Sequence, residues 1–174
     1  MARNPASRIV LAWLVTGVTD FTFSSVLSVV FYGSTVTRLF QGVASVLIGP
    51  SAMQGGTSTA MLGILMHFGV ALAWTAFFAL VALRSSVVRD LATSRHGIVK
   101  TAALYGPLIW LVMSLAIIPL FTGRQPAITA RWWIQFFGHI PAVAVPIVAM
   151  TTAGLTVVTA SPDRPTARTA RESR

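Results

Sequence analysis

The chain of 174 residues contains no cysteine and only four acidic residues. The absence of cysteine excludes disulfides and thiolate ligands, and it leaves the compartment open. Charged residues make up 10% of the chain, whereas a soluble domain carries about 25%. This shortage of charge, together with 55% hydrophobic residues and a mean hydropathy of +0.75, excludes an ordinary soluble domain and indicates an integral membrane protein.

Motifs of catalysis and cofactor binding are missing as well. The sequence has no phosphate-binding glycine-rich loop ending in lysine, no paired-histidine zinc motif and no nucleophile elbow. His67, His96 and His139 lack metal-ligand spacing. An intramembrane aspartyl hydrolase needs two carboxylates, and Asp20 is the only one within an apolar block. We therefore expect a protein that is not an enzyme and that binds no cofactor or metal.

Hydrophobic residues form four blocks, each long enough to cross roughly 30 Å of hydrocarbon as a helix of roughly 20 residues. Because backbone polar groups must be satisfied internally in lipid, the blocks predict an all-α membrane protein with four transmembrane helices. The predicted spans are about Ile9–Tyr32, Thr57–Leu83, Thr101–Phe121 and Trp133–Val158, in one domain of residues 1–160. Residues 161–174 are basic and lack apolar periodicity, which predicts a disordered cytoplasmic tail.

A shorter apolar stretch, "VTRLFQGVASVLIG", lies between the first and second spans. Its apolar residues recur at helical spacing, while Thr37, Arg38, Gln41 and Ser45 occupy the other face. The pattern predicts a short amphipathic helix, and the sequence leaves open whether this helix is interfacial or re-entrant.

Cationic residues lie mainly on one side of the predicted membrane domain. With four spans, ten of the thirteen Lys and Arg share a side with both termini, and only Arg38, Arg124 and Arg131 lie opposite. This asymmetry predicts cytoplasmic termini in a bacterial inner membrane. A five-span arrangement places nine Lys and Arg on one side and four on the other. Charge therefore hardly distinguishes the two arrangements, and the length of the spans favours the one with four spans. Anionic lipids are expected at the basic face, and nucleic acid is excluded because no soluble core backs a basic surface.

Aromatic residues lie near the predicted span ends. Trp132, Trp133 and Tyr32 are expected in an outer aromatic belt, with Trp13 and Tyr105 near the inner interface. Prolines are expected to kink the third and fourth spans, because each removes a backbone hydrogen bond. Kinks of this kind are common in membrane helices and do not by themselves indicate a binding site.

Three ionisable side chains lie within predicted spans, namely Asp20, His67 and His139. Each costs roughly 2.5–3.5 kcal/mol near the bilayer centre, which favours a position facing other helices. Asp20 shares a helix face with Thr16 and Ser24, a polar stripe of the kind that faces partner helices. Helical rise places Asp20 and His67 near mid-membrane and His139 roughly 9 Å from the outer face. Asp20 and His67 are therefore predicted to meet as a coupled, protonatable pair.

Two functional interpretations of these residues remain open, and the sequence favours the first. In the first, Asp20 accepts hydrogen bonds from its neighbours or is neutralised by Arg38. The protein is then a non-enzymatic membrane component that acts through helix packing and partners, including a second copy of itself. In the second, Asp20 and His67 form a proton or ion path with His139 near its outer mouth. The protein is then a small proton-linked transporter or channel subunit.

The stretch from Gly17 to Trp74 contains three distinctive motifs, namely "GVTD", "RLFQGVASVLIG" and "GGTSTAMLGILMHFGVALAW". With "LYGPLIWLVMSLAIIPL" of the third span, they resemble small bacterial four-helix inner-membrane proteins of uncharacterised function and, more distantly, YagU-type proteins. The resemblance implies a four-helix inner-membrane protein in which Asp20, Arg38, Gln41 and His67 match the shared pattern. It implies no substrate and no reaction. With these positions, the candidate polar cluster comprises Asp20, His67, His139, Arg38 and Gln41.

Overall fold

Four helices are long and apolar enough to cross a membrane, which confirms the predicted fold class. The computed structural model describes residues 4–153, and no strand occurs among them. The spans are Ala6–Phe31, Gly56–Arg84, Gly97–Thr122 and Ala130–Thr152. The chain is therefore a multi-pass membrane protein. The predicted end of span four at Val158 and the predicted tail of residues 161–174 lie outside the described residues.

Three of the four spans change from α-helix to π-helix along their length. The α-helical segments are Pro5–Val26, Val36–Ile48, Gly56–Arg84, Ser86–Thr93, Gly97–Leu111, Ile118–Thr122, Ala130–His139 and Val145–Thr152. The π-helical segments are Leu27–Phe31, Val112–Ile117 and Ile140–Ala144, and a 3₁₀ turn occupies Pro50–Gln54. Pro119 lies two residues after the end of the second π segment and Pro141 lies in the third, in keeping with the expected interruptions of spans three and four. The π segment of span one contains no proline, and the sequence did not predict it.

The predicted amphipathic helix forms at Val36–Ile48. It begins after Thr35, whose hydroxyl accepts a hydrogen bond from the backbone N–H of Arg38 at 3.1 Å and so satisfies one unpaired donor of the first turn. It ends at Gly49, whose φ of 76° lies in the region that favours glycine. Phe40 and Ala44 are fully buried, so this helix folds back against the bundle with one face packed.

The spans are arranged in the order two, one, four, three. Span one packs against spans two and four, and span four packs against span three. Spans two and three meet mainly through Tyr105, whose hydroxyl donates to the Trp74 carbonyl at 2.7 Å. The amphipathic helix packs on span two and also contacts the segment Ile118–Thr122 of span three. It therefore lies between these two spans at one end of the bundle.

The two ends of the bundle differ, and we name them by their contents. The terminal side carries Asn4, the helix Ser86–Thr93 and the end of span four at Thr152. The cavity side carries the amphipathic helix and the connection between spans three and four. The largest buried cluster lies toward the terminal side and includes Phe78, Ala102, Tyr105, Ile147 and Val148.

The expected aromatic belts are only partly present. Trp133 is 48% exposed and Tyr32 is 40% exposed, as a belt requires. Trp132 is buried, however, and donates its indole N–H to the Ser114 hydroxyl at 3.2 Å. Tyr105 is also buried, against Trp74. The prediction was wrong for these two residues because their helix faces point into the bundle, which position along the chain does not reveal.

Candidate functional site

A cavity of about 940 Å³ opens between spans two and three on the cavity side. The amphipathic helix forms one wall, and spans one and four contribute the others. Arg38, Arg124 and Arg131 line the cavity at its outer end, and Thr16, Trp74 and Val143 line it at its deepest point. Helical rise places this base roughly 15 Å from the terminal-side ends of the spans. The cavity therefore extends more than halfway through the bundle.

Asp20 and His67 meet in the wall of this cavity. His67 Nδ1 lies 3.8 Å from Asp20 Oδ2, and the two side chains are 13% and 18% exposed, respectively. Both residues line the cavity. Asp20 also accepts a hydrogen bond from the Ser24 hydroxyl, at a long 3.4 Å. The structure therefore brings together the two residues that the sequence predicted to pair.

The hydrogen bond of His67 to span one determines which of its ring nitrogens faces Asp20. His67 Nε2 lies 3.0 Å from the carbonyl oxygen of Gly17. Because a carbonyl only accepts, Nε2 carries the proton and Nδ1 faces the carboxylate of Asp20. An unprotonated Nδ1 facing an ionised carboxylate would place two acceptors together. At 3.8 Å the contact is an ion pair when the imidazole is protonated, and it is longer than a hydrogen bond.

Aromatic rings enclose the remaining sides of the His67 imidazole. The ring centroids of Phe40 and Phe68 lie 5.7 Å and 5.4 Å from it, in edge-to-face arrangements. A Cβ on Gly17 would overlap the Phe68 ring, so glycine allows spans one and two to approach until the Gly17 carbonyl reaches His67. The pair of Asp20 and His67 is thus packed in apolar surroundings and accessible from the cavity.

His139 lines the same cavity from span four. Its Nδ1 donates to the Gln135 carbonyl at 2.7 Å, which leaves Nε2 as the acceptor in the neutral ring. Its ring centroid lies 4.9 Å from that of Trp110. Span four begins at Ala130, earlier than predicted. His139 therefore lies roughly 14 Å from the start of its helix, deeper than the 9 Å expected from the sequence.

Arg38 and Gln41 take different positions from each other. Arg38 lines the cavity, but within residues 4–153 the ion-pair partner of Asp20 is His67 and not Arg38. Gln41 is buried and donates its amide to the Gly56 carbonyl at 3.1 Å. Gln41 therefore fastens the amphipathic helix to the start of span two and does not join the polar residues of the cavity.

Positive charge dominates the outer end of the cavity. Arg131 donates to the Ser28 hydroxyl at 3.4 Å, and its guanidinium lies 4.7 Å from the Tyr32 ring centroid. Neither connecting segment on this side, residues 32–55 and 123–129, contains an acidic residue. Asp20 is the only carboxylate among the residues that line the cavity, and it is paired with His67. Among the residues that the structure describes, the three arginines therefore have no carboxylate counter-charge of their own in the cavity.

Several polar groups of the cavity wall were not predicted to be part of the candidate site, although Thr16 was placed on the polar face of Asp20. Gln135 Oε1, Trp110 Nε1 and Thr16 Oγ1 are buried in the cavity wall, and none has a hydrogen-bond partner among the described residues. Gln135 lies one turn before His139, a spacing that was visible in the sequence. Buried donors and acceptors without partners cost free energy unless water or a ligand satisfies them. The wall is therefore suited to a hydrated or ligand-filled cavity.

Comparisons with known proteins leave this site unassigned. No family model, curated protein or solved structure matches the chain. Within residues 4–153, no group of three or more His, Cys, Asp or Glu is placed to hold a metal ion. The resemblance to YagU-type proteins and the absence of enzymatic activity both stay predictions.

Proposed function

We propose that the protein is a small proton-linked transporter or channel subunit in which Asp20 and His67 hold the transferred proton. One observation carries this proposal: the pair lies in the wall of a large cavity that opens at one end of the bundle. A purely structural acid would be sealed by hydrogen bonds, whereas Asp20 has one long bond from Ser24 and remains 18% exposed. Gln135, His139 and Ser114 supply the second polar wall that a proton path needs.

The charge asymmetry of the loops supports an orientation for this transporter. With both termini cytoplasmic in a bacterial inner membrane, as the positive-inside rule predicts, the cavity opens away from the cytoplasm. The cluster around Tyr105 and Ile147 then closes the cytoplasmic half. Passage of a solute requires that half to open. The three π-helical segments all border the cavity, and such segments often occur at functional sites in helices.

A second candidate function rests on the bond from His67 to the Gly17 carbonyl, which joins spans one and two at 3.0 Å. Here Asp20 and His67 only fix helix packing, and the protein is a non-enzymatic membrane component that acts through partners or a second copy of itself. This candidate predicts that changing the pair alters stability without altering any flux.

Proton flux into liposomes distinguishes the two candidates. Purified protein is reconstituted with an internal pH dye, a pH gradient is imposed, and potassium with valinomycin compensates charge. We expect flux from the native protein, and we expect Asp20→Asn to reduce the initial rate at least about tenfold because it removes the proton-accepting carboxylate. Asp20→Glu, which retains a carboxylate, should recover part of the rate.

Asp90→Asn is the matched control, because Asp90 is an exposed carboxylate in the helix Ser86–Thr93 on the terminal side. Its flux should equal that of the native protein. Absence of flux from the native protein would contradict the transport proposal. Equal flux in native and Asp20→Asn protein would show that Asp20 does not carry the proton.

A further inference from the structure

We infer that the cavity takes an amphipathic anion, with a carboxylate or phosphate head group on the three arginines and an apolar body beyond them. This inference deepens the proposed function, on which it rests, by naming the chemical class of the solute. The charge balance of the cavity, the character of its wall and its unpaired polar groups carry it.

The first step concerns charge. Arg38, Arg124 and Arg131 line one cavity, and its single carboxylate, Asp20, is paired with His67 deeper inside. Arg38 and Arg124 are exposed, and Arg131 is half-buried and held by Ser28 and Tyr32. Guanidinium groups bind carboxylate and phosphate with paired, charge-assisted hydrogen bonds. The outer end of the cavity is therefore suited to an anionic head group and unfavourable for a cation.

The second step concerns the rest of the cavity wall. It consists mostly of apolar side chains, among them Val43, Val46 and Leu47 of the amphipathic helix and Ile117 of span three. Ligand cavities of this composition bind the apolar part of a ligand by burial, while a few polar groups orient it. A small inorganic anion would leave this surface uncovered. An apolar body attached to the head group would fill it.

The third step concerns the deeper polar groups. Trp110 Nε1 is a buried donor and Gln135 Oε1 a buried acceptor, and neither has a partner among the described residues. Both lie in the cavity wall near His139. A solute with its head group on the arginines would extend its body toward these groups. An anionic end pointing inward would instead lie beside the carboxylate of Asp20, which is unfavourable.

The test uses the chain's own tryptophans as reporters. Trp74, Trp110 and Trp132 line the cavity, whereas Trp133 is 48% exposed on the outer surface. The protein, carrying Trp133→Phe to remove this exposed reporter, is placed in nanodiscs of phosphatidylcholine and titrated with 11-bromoundecanoate. Bromine quenches tryptophan fluorescence on contact. The neutral 11-bromoundecanol and the cationic 11-bromoundecyltrimethylammonium are titrated in parallel.

We expect saturable quenching by the carboxylate and only the shallow, non-saturating quenching of bilayer partition by the alcohol and the cation. Replacement of Arg38, Arg124 and Arg131 by Gln should weaken the apparent affinity for the carboxylate at least about tenfold, because charge-assisted bonds to the head group are lost. The matched control replaces Arg84, Arg95 and Lys100, exposed cations of the terminal side, and should leave the affinity unchanged.

Equal quenching by all three probes, or equal affinity in the native and triple-Gln proteins, would overturn the inference. Stronger quenching by the cation than by the carboxylate would also overturn the inference, because it would mean that the cavity binds cations at Asp20. Nanodiscs that contain phosphatidylglycerol separate two sources of the same head-group chemistry. Competition by this lipid in the native protein identifies a membrane lipid as the natural occupant, and absence of competition identifies a soluble organic acid.

The anion-binding inference and the proton-flux proposal can be contradicted independently of each other. Asp20→Asn should retain carboxylate binding while it loses proton flux. Binding without any native flux would leave an anion-binding membrane protein and remove the transport proposal. Flux without arginine-dependent binding would retain the proton path and exclude this class of solute.

Discussion

The terminal-side and cavity-side halves of the bundle are built from different residues. Toward the terminal side the spans meet at small residues, with Ala12, Ala82, Ala102 and Ala144 all buried, so that the helix backbones approach closely. On the cavity side the three π-helical segments border an open space, and the amphipathic helix rather than a fifth span separates spans two and three.

The contrast shows where this small protein obtains its stability. Lipid is as apolar as a leucine side chain, so helices in a bilayer associate through close packing and hydrogen bonds rather than through the hydrophobic effect. The terminal half supplies that packing. The cavity half lacks it and instead holds the acid, the two imidazoles and the arginines. Changes in the packed half should therefore affect folding, and changes in the open half should affect accessibility and proton transfer.

The largest expected effect is at the junction of the two halves, where spans three and four touch. A Cβ on Gly106 would lie 2.8 Å from the backbone carbonyl carbon of His139. Because backbone cannot rotate away, we expect Gly106→Val to lower the free energy of unfolding by about 3 kcal/mol or more. Titration with SDS in mixed micelles measures this change.

The matched control is Gly69→Val in span two, where an added Cβ meets nothing within 4 Å. Both changes place valine in a helix, so they share the same cost in helix propensity. A similar loss in the two variants would show that spans three and four are not in close contact at Gly106.

The next largest difference between the halves should be in the rate at which an introduced cysteine is modified. The chain has no cysteine of its own, so each introduced thiol is the only one that can react. Ser24 lines the cavity, whereas Thr75 is fully buried and hydrogen-bonded to Ala71. We expect Ser24→Cys to react with a charged methanethiosulfonate at least about a hundredfold faster than Thr75→Cys, because the latter needs local opening that costs about 3 kcal/mol.

Both variants should react fully after denaturation in SDS, which shows that each thiol is present and reduced. Comparable rates in the folded protein would show that the terminal half is not closed. Protection of Ser24→Cys by the bound amphipathic anion would place the occupant at the depth of Asp20.

The parts of this structure that follow from simple periodicity could be predicted. Four apolar blocks of sufficient length define four helices, and helical rise alone placed Asp20 and His67 at the same depth. The recurrence of apolar residues at helical spacing in "VTRLFQGVASVLIG" predicted the short helix, which forms at Val36–Ile48. Each of these inferences uses distances along one helix.

The parts that depend on rotation between helices could not be predicted. Gln41 and Arg38 are three residues apart, yet one fastens the helix to Gly56 and the other faces the cavity. Trp132 and Trp133 are neighbours, yet one is buried against Ser114 and the other is exposed. The cavity exists because spans two and three are held apart, and one sequence contains no direct signal of that separation.

Truncation of one isoleucine in each half should show a smaller difference between the halves, in the free energy of unfolding. Ile147 is fully buried in the terminal-side cluster, whereas Ile117 is partly buried in the cavity wall. We expect Ile147→Ala to lower the free energy of unfolding by about 3 kcal/mol, since it leaves a cavity in a packed region. Ile117→Ala should cost about 1 kcal/mol or less, since it only enlarges an existing space. Equal losses would contradict the contrast between the halves.

The smallest expected effect on stability concerns two hydrogen bonds that join the same pair of helices. His67 bonds to the Gly17 carbonyl at 3.0 Å in the cavity wall, and Trp13 donates to the Phe68 carbonyl at 2.8 Å outside it. His67→Phe and Trp13→Phe each keep an aromatic ring and should each lower the free energy of unfolding by about 1 kcal/mol. Proton flux should fall only in His67→Phe, because only that change removes one of the two residues proposed to hold the transferred proton. An equal fall in both variants would mean that the bond between spans one and two, and not the proton on His67, supports the flux.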